Sequence, residues 1–394
     1  MATKKTSSEQ SATPTPASAN KWMQKLLKLD GAIQRDYDPH SQVIRSPSPS
    51  INFIYGKNWG IPLGYTEVKF GPPKGGKTVL SNFQIGQYHH DYPDGIAIRF
   101  DTEMRDEASL TDENLRLFGI DPARLISFSV NSPEEVFDKF NNDIVPMMQD
   151  MEEKEGGNKI RFIVIDSITG IMGRRAMNQD TISTQQIGDL ALTLQEGFKS
   201  VLKSQRKYRV FFSLIAHVRA EMDALEQKKG NKVKMAASFG IKHYAEYFTF
   251  VERYDTADGR MDLLGNDFEN EDRARDLLAK DGKGELTAHR IRVTMKDNTF
   301  GPKGRVGAFT FDYKKGIVNT HEEVFLLGTS HGVLGRPTNT SYTYKDRSWH
   351  GKPKMLEALR DDRALYDAVL ADVKAQDRGA DGAEAEEVPM LDEV

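Results

Sequence analysis

The stretch GPPKGGKT at residues 71–78 constrains this chain more than any other part of its sequence. Five of its eight residues are Gly or Pro, and the spacing G-x-x-x-x-G-K-[ST] runs from Gly71 through Gly76 and Lys77 to Thr78. This is the P-loop pattern, in which glycines let backbone N–H groups approach phosphate oxygens at the start of a helix. The alternative is an ordinary Gly/Pro turn, but such a turn has no need of Lys and Thr at these positions.

The P-loop pattern predicts a site for ATP and Mg²⁺. Lys77 would place its charge on the β and γ phosphates, and the Thr78 hydroxyl would ligate Mg²⁺. Residues 64–70 alternate like a strand, and the residues after the loop can form a helix, as a P-loop requires. The residues expected to contact the nucleotide here are Gly71, Pro72, Pro73, Lys74, Gly75, Gly76, Lys77, Thr78 and Val79.

Two later apolar stretches end in carboxylates that could complete the site. FIVIDS at 162–167 is typical of a buried strand and ends in Asp166, where a P-loop enzyme holds its metal, although an Asp there could also cap a loop. GIAIRFDTE at 95–103 is a further strand that ends in acids. A carboxylate there is well placed to polarise the attacking water, so Glu103 is the predicted general base, with Asp101 as the alternative.

A third apolar stretch, YRVFFSLIAHV at 208–218, carries His217 near its end. A polar side chain at this strand end could read the γ-phosphate and pass the signal onward. A structural histidine is the alternative interpretation. His217 is therefore a candidate sensor residue that acts beside Lys77 and Glu103.

Composition sets the class of protein. The chain has 394 residues, 38% of them hydrophobic, a net charge of −4 and no cysteine. The charge argues against a uniformly basic nucleic-acid binder but leaves room for local basic loops. The absence of disulfides, of a signal peptide and of any run of about 18 apolar residues predicts a cytoplasmic protein without a membrane partner.

Strand-like and helical runs alternate from about residue 50 to 320. This alternation predicts an α/β fold with a mostly parallel sheet flanked by helices, and a more antiparallel extension at its last three strands. The predicted organisation is a disordered tail at 1–20, an N-terminal helical segment at 21–49, the α/β core at 50–320, a small helical C-terminal unit at 321–376 and an acidic disordered tail at 377–394.

The order of these parts resembles the ATPase core of the RecA-type DNA recombinases, most of all the phage UvsX-like branch, in which the sensor residue is His. The resemblance covers roughly residues 40–320 and implies a RecA-like P-loop NTPase. It implies a DNA-dependent ATPase, which converts ATP to ADP and phosphate. Such a protein forms a helical filament or ring on single-stranded DNA and exchanges strands with a homologous duplex. A recombination mediator, a single-strand-binding protein and, for a phage protein, a bacterial host cytoplasm are also implied.

The family binds DNA through two loops, one after the Asp166 strand and one after the His217 strand. The matching stretches are 168–184 and 219–238. Cations on loops of this kind bind the phosphate backbone, and apolar side chains can wedge between bases; a solvated charged loop is the alternative. The candidate DNA-binding residues are Arg174, Arg175, Met177, Arg219, Lys228, Lys229, Lys232 and Lys234.

In the family, two basic residues at positions i and i+2 of a late strand reach the ATP of the neighbouring protomer. Lys296 fits the first position, but Asn298 stands at the second, so Lys303 or Arg305 could supply that contact. The family also implies that the segment 21–49 docks on the adjacent core; packing on its own domain is the alternative. The residue that stacks on adenine cannot be assigned by resemblance.

Two rival functions share these motifs. One is a RecA-fold hexameric helicase or motor, against which stand the short N-terminal region and the Lys-rich second loop. The other is an ATP-gated DNA-binding filament protein that does not exchange strands. The sequence does not separate this last function from a recombinase.

Overall fold

The computed structural model describes residues 25, 42–169, 186–220, 233–235, 241–254 and 288–380. The chain divides into two compact units, Met1–Gln42 and Val43–Val394. The predicted tail at 1–20, almost all of the segment at 21–49 before Gln42 and most of the acidic tail lie outside the described residues. The second unit begins before the predicted boundary at residue 50, because Val43 and Ile44 already pair with Pro62 and Ile61.

The strands form one large sheet and two small ones. An antiparallel pair joins β1 (Val43–Ile44) and β2 (Ile61–Pro62). The large sheet consists of β3 (Thr66–Gly71), β4 (Ile96–Asp101), β5 (Leu125–Ser129), β6 (Ile160–Asp166), β7 (Phe211–Ala220), β8 (Val233–Met235), β9 (Tyr247–Tyr254), β10 (Ala288–Asn298), β11 (Val306–Asp312) and β12 (Gly316–Val318). The three-stranded sheet contains β13 (Gly335–Thr338), β14 (Ser341–Tyr344) and β15 (Arg347–His350).

The order of the large sheet is β12-β11-β10-β9-β3-β7-β6-β4-β5, and β8 pairs with β7. The neighbouring pairs in the part β9-β3-β7-β6-β4-β5 are all parallel. The neighbouring pairs in the part β12-β11-β10-β9 are all antiparallel. The predicted fold class is therefore confirmed, including the antiparallel extension. Parallel strands place their carboxyl ends at one edge, so the segments after β3, β4, β6 and β7 meet there.

Helices cover both faces of the sheet. Those of the core are α1 (Pro49–Phe53), α2 (Lys77–Asp91), α3 (Asp106–Ser109), α4 (Asp112–Phe118), α5 (Pro133–Lys139), α6 (Val145–Glu155) and α7 (Gln186–Lys207). Side chains alternate along β6: Ile163 and Ile165 pack with Phe198 of α7, while Phe162 and Val164 pack with Phe83 of α2. An apolar strand buried on both faces is what FIVID predicts.

The C-terminal unit has its own core. It contains α8 (Thr320–Ser330), the sheet β13–β15, α9 (Lys352–Asp361) and α10 (Arg363–Ala380). Its core is built from apolar side chains of two helices, among them Met355 on α9 and Val369 on α10. The sequence prediction of a helical unit did not include the small sheet.

The acidic tail was predicted to begin at residue 377, yet α10 continues to Ala380. Asp377 is buried in this helix, and its carboxylate accepts hydrogen bonds from Trp59 and Arg305. Among the described residues, no helix is long and apolar enough to cross a membrane.

Candidate nucleotide-binding site

The P-loop connects β3 to α2 and curls around the Lys77 ammonium. Lys77 Nζ donates hydrogen bonds to the carbonyl oxygens of Gly71 (2.9 Å) and Pro72 (2.8 Å). Burial lowers the pKa of Lys77, and the negative charges of Asp166 and Glu103 partly oppose that shift. The predicted phosphate-binding lysine is thus held inside its own loop.

Two glycines of the loop are required by close packing against the neighbouring strands. A Cβ on Gly71 would lie 2.0 Å from the carbonyl oxygen of Val251 on β9. Gly76 has φ +100°, and a Cβ there would lie 2.5 Å from Ile291 Cδ1 on β10. Glycine is the residue that tolerates both the left-handed backbone and the contact.

The structure brings together Thr78 and Asp166, the two residues predicted to bind the metal. Asp101 and Asp166 are register partners at the ends of β4 and β6. Thr78 Oγ1, at the start of α2, donates to Asp166 Oδ2 at 2.8 Å. A hydroxyl that donates its hydrogen to a carboxylate keeps its lone pairs for a cation, and oxygen ligands are those that Mg²⁺ prefers. The two side chains therefore fit a P-loop magnesium site.

Glu103 lies just beyond β4 and contacts three side chains. Its Oε1 lies 2.8 Å from Nε2 of His217 and accepts from Ser167 Oγ at 3.2 Å, and its Oε2 pairs with Arg105 at 2.9 Å. Burial alone would raise the pKa of Glu103, but the His217 hydrogen bond and the Arg105 charge together hold it below its usual value. Glu103 is therefore ionised and joined to the candidate sensor.

Asp101, the alternative base, has a different environment. Its carboxylate accepts from the backbone N–H groups of Glu103 (3.0 Å), Arg105 (2.6 Å) and Asp106 (2.8 Å). The side chain is buried, and it shapes the loop that presents Glu103. The geometry favours Glu103 over Asp101 as the base.

His217 lies on β7, beside the start of the P-loop, since Gly71 and His217 are register partners. Its backbone N–H donates to Thr169 Oγ1 at 2.9 Å. His217 thus lies on the strand next to the P-loop strand, and its imidazole contacts Glu103. Its sensor role stays a prediction.

Most candidate DNA-binding residues lie outside the described part of the chain, namely Arg174, Arg175, Met177, Lys228, Lys229 and Lys232. Arg219 is exposed on β7, and Lys234 lies on β8. These two are register partners in an antiparallel pair, so the described residues of the predicted second loop lie on paired strands.

The late strand gives a mixed result for the predicted contact to a neighbouring protomer. Lys296 is exposed, with its Nζ 5.5 Å from the centre of the Phe250 ring. Asn298 is buried, and Lys303 pairs with Asp297 at 2.7 Å. The guanidinium of Arg305, the other alternative, donates within the chain to Asp377 and to the Phe53 carbonyl oxygen, so which residue makes the second contact stays a prediction.

Sequence reasoning missed Arg99, which donates to the candidate metal-binding carboxylate. Arg99 Nη2 lies 2.7 Å from Asp166 Oδ2. The available signal was a charged residue inside an apolar strand, two positions before Asp101. Alternation in a strand places such a residue on the same face as Asp101.

No protein-family model matches the chain. It is 24% identical over 229 residues to the "Recombination and repair protein" of Enterobacteria phage T4, an alignment that covers 57% of this chain and 54% of that protein. It is 21% identical over 378 residues to "Protein RecA" of Streptomyces ambofaciens, covering 92% and 89% of the two chains. "Protein RecA" of Chlorobium chlorochromatii is 22% identical over 333 residues, covering 84% and 81%. The chain thus spans about half of the phage protein and most of both RecA proteins.

Proposed function

We propose that this chain, which its relatives and fold mark as RecA-type, is an ATP-dependent DNA recombinase of the phage UvsX-like kind. It would assemble as a helical filament on single-stranded DNA, pair it with a homologous duplex and exchange strands. The observation that carries the proposal is the contact of Glu103 with His217 at 2.8 Å, beside a P-loop whose Thr78 contacts Asp166.

Each predicted residue of the site would have a role in the hydrolysis of ATP to ADP and phosphate. Lys77 binds the β and γ phosphates, while Thr78 and Asp166 would hold Mg²⁺, which neutralises phosphate charge when bound. Glu103 orients the attacking water and accepts its proton, and its lowered pKa keeps it ionised at neutral pH. Lys296, exposed on β10, would reach the nucleotide of a neighbouring protomer.

The link from ATP to DNA runs through β7. His217 contacts the base Glu103, and two residues later Arg219 pairs with Lys234 of β8. A change at His217 would therefore move the strand that carries the second DNA-binding segment. ATP would favour the DNA-bound state and hydrolysis would release it, as in a ligand-driven switch.

Glu103→Gln tests the enzyme. The variant keeps the shape of the side chain and removes the base, so hydrolysis stimulated by single-stranded DNA should fall by about 10²–10⁴-fold. Filaments seen by negative-stain electron microscopy should persist on DNA with ATP. Glu107→Gln, at an exposed carboxylate on α3, is the matched control and should hydrolyse ATP like the wild type.

Other results would favour a rival function. Closed rings, or hydrolysis indifferent to DNA, would support a hexameric helicase or motor. Hydrolysis stimulated by DNA without joint molecules between a single strand and a homologous duplex would support a filament protein that does not exchange strands.

A further inference from the structure

Arg99 is a buried arginine at the metal end of the candidate site. Its side chain is 3% exposed and lies on β4, between the nucleotide helix and the Asp166 strand. The guanidinium donates through Nε to Asp106 Oδ1 (2.8 Å), through Nη1 to Asn82 Oδ1 (2.9 Å) and through Nη2 to Asp166 Oδ2 (2.7 Å). Each of the three nitrogens of the planar guanidinium therefore donates a hydrogen bond.

The three contacts close a ring around the site. Thr78 and Asn82 are one turn apart on α2, so their side chains share a helix face. Thr78 donates to the same Asp166 oxygen that accepts from Arg99, and Asn82 accepts from Arg99 in turn. The ring of Thr78, Asp166, Arg99 and Asn82 therefore fixes the start of α2 relative to the end of β6.

The third contact extends the ring to the loop that carries the predicted base. Asp106 begins α3, and its backbone N–H donates to Asp101 at 2.8 Å. Burial raises the pKa of Asp106, and the Arg99 charge opposes that shift. One guanidinium thus holds both the metal-binding carboxylate and the loop of Glu103.

Packing alone does not require a cation at this place. The neighbouring β4 residues Ala97, Ile98 and Phe100 are buried apolar side chains, and an apolar side chain at position 99 would be easier to bury than a guanidinium. A planar group with three directed donors, by contrast, can set the orientation of a carboxylate.

We propose that Arg99 is a positioning residue for magnesium–nucleotide binding. Arg99 and Thr78 both donate hydrogen bonds to Oδ2 of Asp166. These hydrogen bonds fix the side-chain rotamer of Asp166 in which its carboxylate and the Thr78 hydroxyl face the metal. The inference rests on the proposed nucleotide site, and it concerns the metal dependence of binding rather than strand exchange.

The test is equilibrium binding of a fluorescent ADP analogue to the full chain, titrated with Mg²⁺. Arg99→Lys keeps the charge but replaces the planar group, whose three nitrogens each contact a different partner, by a single nitrogen. The Mg²⁺ concentration for half-maximal tightening should rise about tenfold, as for losses of residues that orient metal ligands. Binding measured in EDTA should stay within about twofold of the wild type, because the phosphate contacts of the loop remain.

Arg124→Lys is the matched control. Arg124 ties the other end of α2, with Nη1 donating to the carbonyl oxygens of His89 (3.1 Å) and Tyr92 (3.0 Å). Its loss should lower stability without changing the Mg²⁺ requirement. Asn82→Ala removes one hydrogen bond of the Arg99 guanidinium and leaves its ion pairs with Asp106 and Asp166. The Mg²⁺ concentration for half-maximal tightening should therefore rise by less than in Arg99→Lys.

The outcomes separate the inference from the proposed function. An unchanged Mg²⁺ requirement in folded Arg99→Lys, or an equal rise in Arg124→Lys, would overturn the positioning role. If Arg99→Lys does not fold, Asn82→Ala decides, and a wild-type requirement there overturns the role as well. A wild type that binds no nucleotide would instead refute the proposed function.

Discussion

At the scale of single residues, the pKa of Glu103 depends on burial and on two neighbours, His217 and Arg105. Its Oε1 is near His217 and its Oε2 is paired with Arg105, whose side chain is 75% exposed. Burial acts to raise the pKa of Glu103, and these neighbours outweigh it. A depressed pKa keeps a general base ionised as the pH falls.

Arg105→Ala should move the acidic limb of the ATPase pH profile to higher pH. Without the Arg105 charge the pKa of Glu103 rises, so the base is protonated, and hydrolysis lost, earlier as the pH falls. The shift is small because Arg105 is mostly exposed and its charge is screened by solvent. Arg116→Ala, at an exposed arginine on α4, should leave the profile unchanged. An unmoved limb in Arg105→Ala would show that the charge does not act on the base.

A second residue-scale feature lies beneath the P-loop, where Glu67 and Lys69 form an ion pair at 2.7 Å with both side chains 0% exposed. Burial lowers the pKa of Lys69, and Glu67 opposes that shift. Lys69→Met should destabilise the fold by about 3–5 kcal/mol, because it leaves a buried carboxylate without its cation. The double variant Glu67→Gln/Lys69→Met should recover most of that loss in urea denaturation. A double variant as unstable as the single one would contradict the pairing argument.

At the scale of elements, helix α2, which follows the P-loop, is packed tightly against α4. Gly86 lies in the interior of α2, and a Cβ there would be 1.8 Å from the carbonyl oxygen of Phe118. A glycine inside a helix is ordinarily less stable than alanine. Its presence here follows from the close approach of the two helices.

Gly86→Ala should therefore destabilise the protein despite its higher helix propensity. Forcing the helices apart costs about 1–3 kcal/mol, more than the propensity gain of about 1 kcal/mol. Thermal and urea unfolding measure the effect. Gly157→Ala is the control: its Cβ would meet only Arg161 Nη2, at 4.0 Å, and its stability should stay within about 0.5 kcal/mol of wild type. A Gly86→Ala protein as stable as the control would show that α4 moves without cost.

At the scale of the whole molecule, in the compact unit Val43–Val394, buried polar contacts join the C-terminal helices α8 and α10 to the core. Asp377 of α10 accepts from Trp59 Nε1 at 3.0 Å and from both terminal nitrogens of Arg305 at 3.0 and 2.8 Å. Glu323 of α8 accepts at Oε2 from Ser48 Oγ (2.6 Å) and from the Ser50 N–H (3.0 Å). Burial raises the pKa of Glu323 to about 8, against the opposing hydrogen bonds from Ser48 and Ser50 and the charge of Arg290.

The raised pKa makes stability depend on pH. A carboxyl that is neutral in the folded state and ionised in the unfolded state stabilises fully below its unfolded pKa, and this contribution is lost as the pH rises through about 8. Glu323→Gln carries a permanently neutral group of the same shape. We expect its melting temperature to match the wild type near pH 5 and to exceed it near pH 9. Glu357→Gln, at an exposed glutamate on α9, should follow the wild type at both values. An equal fall in melting temperature from pH 5 to pH 9 in wild type and Glu323→Gln would show that other groups cause the pH dependence.

The sequence by itself determined the local chemistry. The spacing from Gly71 to Thr78 specifies a P-loop because glycine is needed where backbone approaches phosphate, and apolar strands such as FIVID specify a sheet buried on both faces. These signals lie within a few residues of one another. They predicted the fold class, the nucleotide loop and the carboxylates at the strand ends.

Only the tertiary structure decided which side chains meet. Thr78 and Asp166 are 88 positions apart, and Glu103 and His217 are 114 apart; each pair is joined because parallel strands end at one edge. Arg99 and Arg305 show the limit of the sequence. Arg99 contacts Asp166, the candidate metal-binding carboxylate, whereas Arg305 contacts Asp377 of the C-terminal unit. A guanidinium takes its role from the carboxylates that folding brings within hydrogen-bonding distance, and those lie far away in the chain.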